Sequence, residues 1–247
     1  MNSVLNIAFY KFVELSNLLE LRVTLKEKAL VLDLKGTVLI SPEGINGSMA
    51  GSESAIRSYI EFLRSISEFE DILFKESFSK ERPHKRTLVK IKKEIIPMGL
   101  AYIKPDKKTG ARIYPKELKE WLDQGKEVVL LDTRNKYELE SGTFKGAVDM
   151  GLRYFRHFPQ KLEEMRSSLE GKPVVMFCTG GIRCEKATAY ALSIGMENVY
   201  QLEGGILKYF EEVGNAHYNG NCFVFDYRKE LDGNLNEQEP TSGNIND

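Results

Sequence analysis

The residues of this chain best suited to reactive chemistry are three cysteines, Cys178, Cys184 and Cys222. Cys178 ends an apolar run, VVMFC, and opens the segment CTGGIR (Cys178, Thr179, Gly180, Gly181, Ile182, Arg183), after which a helical pattern begins around Cys184. A buried strand, a glycine turn and a helix in that order gather backbone N–H groups around one centre beyond the strand's carboxyl end, a place that favours an anion. A thiol there feels those dipoles, the helix N-terminus and the Arg183 charge. All three favour thiolate and depress the pKa below the usual value of about 8.5, so Cys178 is the candidate nucleophile.

Cys184 directly follows Arg183 and is a candidate resolving thiol once Cys178 is oxidised, although spacing alone does not set the sulfur separation. Cys222, in the apolar run CFVF, reads as a packing residue. Three cysteines are too few for a disulfide scaffold and form no two metal-binding pairs. His84, His157 and His217 are scattered, and there is no dinucleotide fingerprint, so the sequence identifies no metal and no cofactor. Asp132 and Arg134, at the end of the run VVLLD, are expected to support the cysteine loop rather than to react.

The elements that must position these residues follow from periodicity. Residues 5–13 are rich in β-formers, and residues 16–33 carry apolar side chains at helical spacing with Ser16 as the expected N-cap. Gly36 breaks that helix, TVLIS reads as a strand, PEGING as a turn and GSMAG as a return strand. Ser52 caps a second expected helix, and a strand follows at 72–78. The order βαββαβ is that of a ferredoxin-like α+β domain over residues 1–96. Residues 97–114, with their prolines, glycines and lysines, read as a linker. Residues 115–213 then alternate helices with runs lacking polar alternation (VVLLD, VVMFC), as expected for a parallel sheet with helices on both faces. Residues 214–231 form a strand-like extension, and 232–247, without a basic or aromatic residue, are expected to be disordered.

The 247 residues suffice for two small domains, and 35 basic against 36 acidic side chains give a formal charge of −1. Global charge therefore points to no polyanionic partner, and any such surface must be local. One exists: residues 80–93 hold seven Lys or Arg against one Glu. If 86–92 form a strand, Arg86, Lys90 and Lys92 share one face while Thr87, Val89 and Ile91 share the other. With Lys93, these cations suit RNA phosphates. Tyr154, Phe155 and Arg156 are candidates for stacking on a splayed base. No apolar run is long enough to cross a bilayer and no leader pattern opens the chain, so no membrane association is expected and a cytoplasmic location is the default. Nothing speaks to oligomeric state.

CTGGIR resembles the active-site loop of rhodanese-type sulfurtransferases, in which a cysteine opens a six-residue loop that ends in arginine. LDTR with the downstream Tyr137 and Glu138, the segment GTFKGAV and the turn LEGGI resemble further rhodanese marks over residues 115–213. Related phosphatases carry one more residue between Cys and Arg, so the shorter loop suits a smaller group than phosphate. With SPEGINGSMAG, KIKKEIIPMG, CTGGIRCEKA and GNCFVFDYR, the chain is similar from residue 5 to 229 to the rhodanese-like tRNA uridine hydroxylase family. That resemblance implies oxygen-dependent formation of 5-hydroxyuridine at the wobble position, with molecular oxygen as co-substrate, tRNA in its anticodon region as partner and Cys178 as the catalytic residue. Thiolate, persulfide and sulfenic acid all remain open as the working form of Cys178. The cysteine loop by itself equally fits a thiosulfate-type sulfurtransferase carrying a Cys178 persulfide. A non-catalytic RNA-binding or thiol-redox module is the remaining alternative.

Overall fold

The computed structural model describes residues 4–238, in two compact units that divide between Pro97 and Met98. In the first unit the elements are β1 (Val4–Phe12), α1 (Leu18–Val31), β2 (Lys35–Ser41), β3 (Gly44–Gly51), α2 (Glu53–Arg64), β4 (Phe74–Ser79) and β5 (Thr87–Ile91). The expected βαββαβ order is present, and β5 is added at the edge. The sheet runs β4-β1-β3-β2-β5, with β5 parallel to β2 and the other pairs antiparallel. Leu5, Ile7 and Phe9 of β1 and Val38 and Ile40 of β2 pack with Leu25 and Ala29 of α1 and Ile56, Tyr59 and Leu63 of α2, the helical spacing that the sequence carries.

Two local expectations need correction here. Helix α1 starts at Leu18 behind Asn17, which has a left-handed backbone (φ 49°) and makes no side-chain cap, so Ser16 is not the N-cap. The turn in PEGING is only Pro42 and Glu43. Ser41 already pairs with Gly44, and the following residues pair with β1 on the other side, which commits their backbone groups to the sheet. Ser52 does cap α2, accepting from the Ala55 N–H at 3.3 Å.

The second unit comprises β6 (Ala111–Ile113), α3 (Pro115–Asp123), β7 (Val129–Asp132), α4 (Lys136–Leu139), β8 (Gly142–Phe144), β9 (Val148–Asp149), α5 (Phe158–Leu169), β10 (Val174–Phe177), α6 (Ile182–Ser193), β11 (Val199–Leu202) and α7 (Gly205–Val213). A C-terminal series follows, β12 (Tyr218–Gly220), β13 (Cys222–Phe223), β14 (Glu230–Leu231) and β15 (Glu237–Gln238). The five-stranded sheet β6-β11-β10-β7-β9 is parallel throughout. Its apolar strands are buried on both faces: Val175 and Phe177 meet Leu118 of α3 and Tyr209 of α7, while α6 covers the side of Val174 and Met176.

Within the stretch read as a linker, residues 111–113 are the sheet's edge strand, and Gly110 N–H donates to the Thr188 hydroxyl at 2.9 Å. A three-residue strand has too little pattern to stand out, and its paired residues on β11 lie 89 positions further on. The expected disordered tail is also corrected in part. Residues 232–238 turn on the Asp232 carboxylate, which accepts from the N–H groups of Asn234 and Asn236 at 2.9 Å each, so that β15 pairs with β14. Residues 239–247 lie outside the described residues. Among the described residues no helix is long and apolar enough to cross a membrane.

Candidate active site

Phe177 fixes the end of the central strand. It meets Phe144 edge-to-face, with centroids 4.9 Å apart, and Phe144 in turn meets Tyr209 and Tyr218 in the same way. The next residue, Cys178, is fully buried. Thr179, Gly180 and Gly181 turn the chain, Gly181 adopts a positive φ of 97° as the N-cap of α6, and its N–H donates to the Cys178 sulfur at 3.1 Å. The loop is braced from behind by Gly205 at the start of α7. A side chain there would stand 2.4 Å from the Cys178 carbonyl oxygen, so only glycine (φ 68°) allows this approach.

Burial opposes ionisation of Cys178. It is outweighed by a hydrogen bond from the Cys184 thiol, the Arg183 charge and the N–H groups of Arg183 and Gly181, which together hold the Cys178 thiol well below the ordinary thiol range. Cys184 shifts the opposite way. Its burial and its donation to Cys178 keep its proton in place, and its sulfur lies 3.7 Å from the Thr133 hydroxyl. Cys222 is buried in the same core as Phe144 and Tyr218, and burial pushes its thiol up to about 12. The three cysteines thus form one ionisable thiol, one donor beside it and one packing residue.

Arg183 is anchored by Glu138. Its two terminal nitrogens meet the two Glu138 carboxylate oxygens at 2.5 and 2.6 Å, and both side chains are buried. Burial works against the guanidinium charge, but the Glu138 carboxylate more than compensates and keeps it protonated. Glu138 also accepts from the Asn135 N–H at 2.9 Å, the return half of a capping box that starts α4, and lies 3.5 Å from the Thr179 hydroxyl. The same carboxylate therefore sets α4 and aims the loop arginine. In the sequence Glu138 stands out only as a motif mark without a task, and the Asn-x-x-Glu spacing is the signal of its capping role.

Asp132 and Arg134 lie beneath. Arg134 binds Asp132 through Nε at 3.0 Å and Nη2 at 2.7 Å, and it donates to the carbonyls of Glu138 and Gly142. Asp132 also accepts from the Thr143 hydroxyl. This fully buried pair ties β7, α4 and β8 into one frame and offers neither group to a substrate. Of the three aromatic-run candidates, Phe155 is 5% exposed and packs on Phe158, so it is withdrawn as a stacking residue. A residue in core contact cannot also receive a base. Tyr154 is exposed, with the guanidinium groups of Arg153 and Arg156 5.4 and 4.7 Å from its ring centre.

In the first unit, Arg86, Lys90, Lys92 and Lys93 are all exposed, while Val89 is buried between Thr87 and Ile91, which are half-buried. Arg22 and Lys26 of α1 line a cleft of about 330 Å³ against Val89, adding two cations near that strand. The histidines lie apart, with His84 on Ser48, His157 against Tyr154 and His217 on Asp123. Among the described residues no group of three or more His, Cys, Asp or Glu is arranged to hold a metal ion.

A loop cysteine biased toward thiolate at the end of a central parallel strand, in a chain whose N-terminal unit is a βαββαβ domain, defines a two-domain rhodanese-type protein. Family models agree in both halves: residues 4–95 match the UPF0176 acylphosphatase like domain and residues 114–212 the rhodanese-like domain. Over 242 residues, 96% of this chain, it is 49% identical to the tRNA uridine(34) hydroxylase of Cupriavidus necator and covers 86% of that protein. The protein of the same name from Thiobacillus denitrificans is 47% identical over 98% of this chain and 99% of its own length. That of Ralstonia nicotianae is 50% identical over 94% of this chain and 84% of its own. The chain belongs to the tRNA uridine(34) hydroxylase family.

Proposed function

We propose that this protein hydroxylates the wobble uridine of tRNA to 5-hydroxyuridine with the Cys178 sulfur as the reacting group and molecular oxygen as co-substrate, one oxygen atom entering the base and the other leaving as water with two electrons from an external reductant. The observation that carries the reading is the buried cup around Cys178, complete in a chain whose relatives of near-equal length are named for this reaction. The cup favours the thiolate of Cys178 over the thiol, which makes Cys178 a strong nucleophile and an oxidisable centre. Arg183 serves as a fixed positive charge, and Glu138, Asp132 and Arg134 hold it and the loop in register. Cys184 acts as the hydrogen-bond donor to the thiolate.

The anticodon region supplies the substrate base, and Arg86, Lys90, Lys92 and Lys93 contact tRNA phosphates. No metal or organic cofactor is assigned, and a cytoplasmic location goes with the tRNA substrate. The test is mass analysis of tRNA nucleosides from cells lacking the protein, complemented with wild type or Cys178→Ser. Wild type should restore 5-hydroxyuridine and Cys178→Ser should leave it at background. Unchanged 5-hydroxyuridine in the deletion strain overturns the reaction, and restoration by the serine variant overturns the cysteine's role. If instead only thiosulfate:cyanide turnover were lost in the serine variant, sulfur transfer would replace hydroxylation.

A further inference from the structure

The hairpin that follows Cys222 is built around a second buried Asp-x-Arg pair. Arg228 binds Asp226 through Nε at 2.9 Å and Nη2 at 2.6 Å, and the Arg228 N–H donates to the same carboxylate at 3.0 Å. The Val224 N–H closes the loop on the Lys229 carbonyl at 2.7 Å. With residues 224, 226 and 228 turned inward, the residues between them are turned out: Phe225 is 62% exposed and Tyr227 60%. Large aromatic rings held outward by a rigid turn are costly to leave in water and mark a binding surface.

This surface adjoins the cysteine loop. The Thr179 hydroxyl donates to the Phe223 carbonyl at 3.3 Å, and the Arg183 guanidinium lies 5.7 Å from the Phe225 ring centre. Phe223 meets Phe225 at an interplanar angle of 83° and Tyr137 of α4 at 81°. In each contact the edge of one ring meets the face of the other, and the greater part of Phe225 and of Tyr227 is still left to solvent. Charge is sorted as well. Asp226 is held by Arg228, and Glu230 is buried on Ser141 and Asn221, whereas Lys136, next to Tyr137 in the chain, and Lys229, two residues after Tyr227, are exposed. Outward aromatics with outward cations near them in the chain, and these two carboxylates turned in, is the composition of a single-stranded nucleic-acid platform.

We infer that Phe225 and Tyr227, with Tyr137 beside them, form a stacking seat that holds the pyrimidine base of an RNA loop at the mouth of the Cys178 cup, while Lys136 and Lys229 take its flanking phosphates. This inference rests on the proposed function for the identity of the base. It assigns to the FVFDYR hairpin a binding task that is separate from the chemistry at the sulfur. Such a seat discriminates by its π-faces, so it responds to whether a base is present and tolerates exchange of one ring for another.

The test uses the full chain and two anticodon stem-loop RNAs, one with uridine at the wobble position and one abasic there. Wild type should bind the uridine RNA about tenfold more tightly, within the range one base–aromatic stack supplies. Phe225→Ala combined with Tyr227→Ala should bring the two affinities together without changing abasic RNA binding or the thermal midpoint, because both side chains are largely exposed. Phe225→Trp should keep the preference. Equal affinities in wild type, or a preference that survives the double substitution, would overturn the seat. Hydroxylation of the uridine RNA by the same wild-type preparation separates the two ideas. A protein that hydroxylates but shows no Phe225 dependence loses only the seat, and one that does not hydroxylate loses the proposed reaction.

Discussion

The two units bury different things. In the first, the interior is apolar, and among the described residues only Asn6 and Ser41 of the buried polar side chains belong to it. Its cations stand outside. In the second, Asp132, Arg134, Glu138, Arg183, Glu185 and Lys186 are all buried, most of them around one strand end and the helix that follows it. Removing a charge from water costs several kcal/mol, and an apolar replacement of similar shape is often at least as stable. The first unit shows that this chain can build a core without such charges. Their concentration in the second unit therefore marks where position, more than stability, is being specified.

The largest effect should come from breaking that arrangement at its most connected point. Glu138→Ala leaves Arg183 buried without its carboxylate and removes the α4 cap, and should cost the second unit about 3–5 kcal/mol, read as a lower urea midpoint for its transition. Glu138→Gln should lose less stability yet still slow tRNA hydroxylation, since a neutral amide cannot hold the guanidinium in the same fork. As the matched change in the first unit, Glu76→Ala removes an exposed partner of Arg57 and should leave the midpoint where it is. Equal losses in the two units would erase the distinction.

How much of this was legible in the sequence follows the same division. The first unit was readable element by element because its core is apolar: Ile56, Ile60 and Leu63 on α2 announce a face that a periodic pattern can report. The loop CTGGIR was readable because glycine, cysteine and arginine in that order have few other uses. Glu138 was not, since a lone charged residue in KYELE looks like solvated helix until a distant arginine is seen to enclose it. Strand β6 and the β14–β15 hairpin owe their existence to partners far away or to an Asp232 turn, and two or three residues carry no period. Phe225 and Tyr227 alternate with Val224 as core residues would, so pattern alone reads FVFDYR as strand interior rather than as an exposed seat.

A smaller effect is expected on the outer face of the first unit. Lys90→Glu with Lys92→Glu should weaken tRNA binding and lower the slope of log affinity against log salt by about two, one for each lost phosphate contact. Because both side chains are exposed, the urea midpoint should not move. Affinity unchanged at low salt would take the RNA surface away from β5 and leave the first unit a scaffold alone.

The smallest change probes the thiolate itself. Cys178 is held below the ordinary thiol range against the cost of burial, and the Cys184 thiol is the first of the groups that pull it down. Cys184→Ala removes that donor and should raise the Cys178 midpoint by about one pH unit, the worth of one hydrogen bond to a charged group. Ultraviolet thiolate absorbance, with Cys178→Ser as the blank, measures it. The sign also fixes a stability profile. A depressed acid favours the folded state above the unfolded thiol pKa of about 8.5, and this contribution is lost as pH falls through the folded value. Stability of the wild type should therefore decline on acidification through the measured midpoint, and Cys178→Ser should lack that part of the decline. Cys222 supplies the opposite sign within the same unit, since burial pushes its thiol up to about 12 and its contribution falls as pH rises above the unfolded value. If Cys184→Ala left the Cys178 midpoint in place, the fixed charge of Arg183 and the loop N–H groups alone would account for the thiolate, and Cys184 would be reduced to packing.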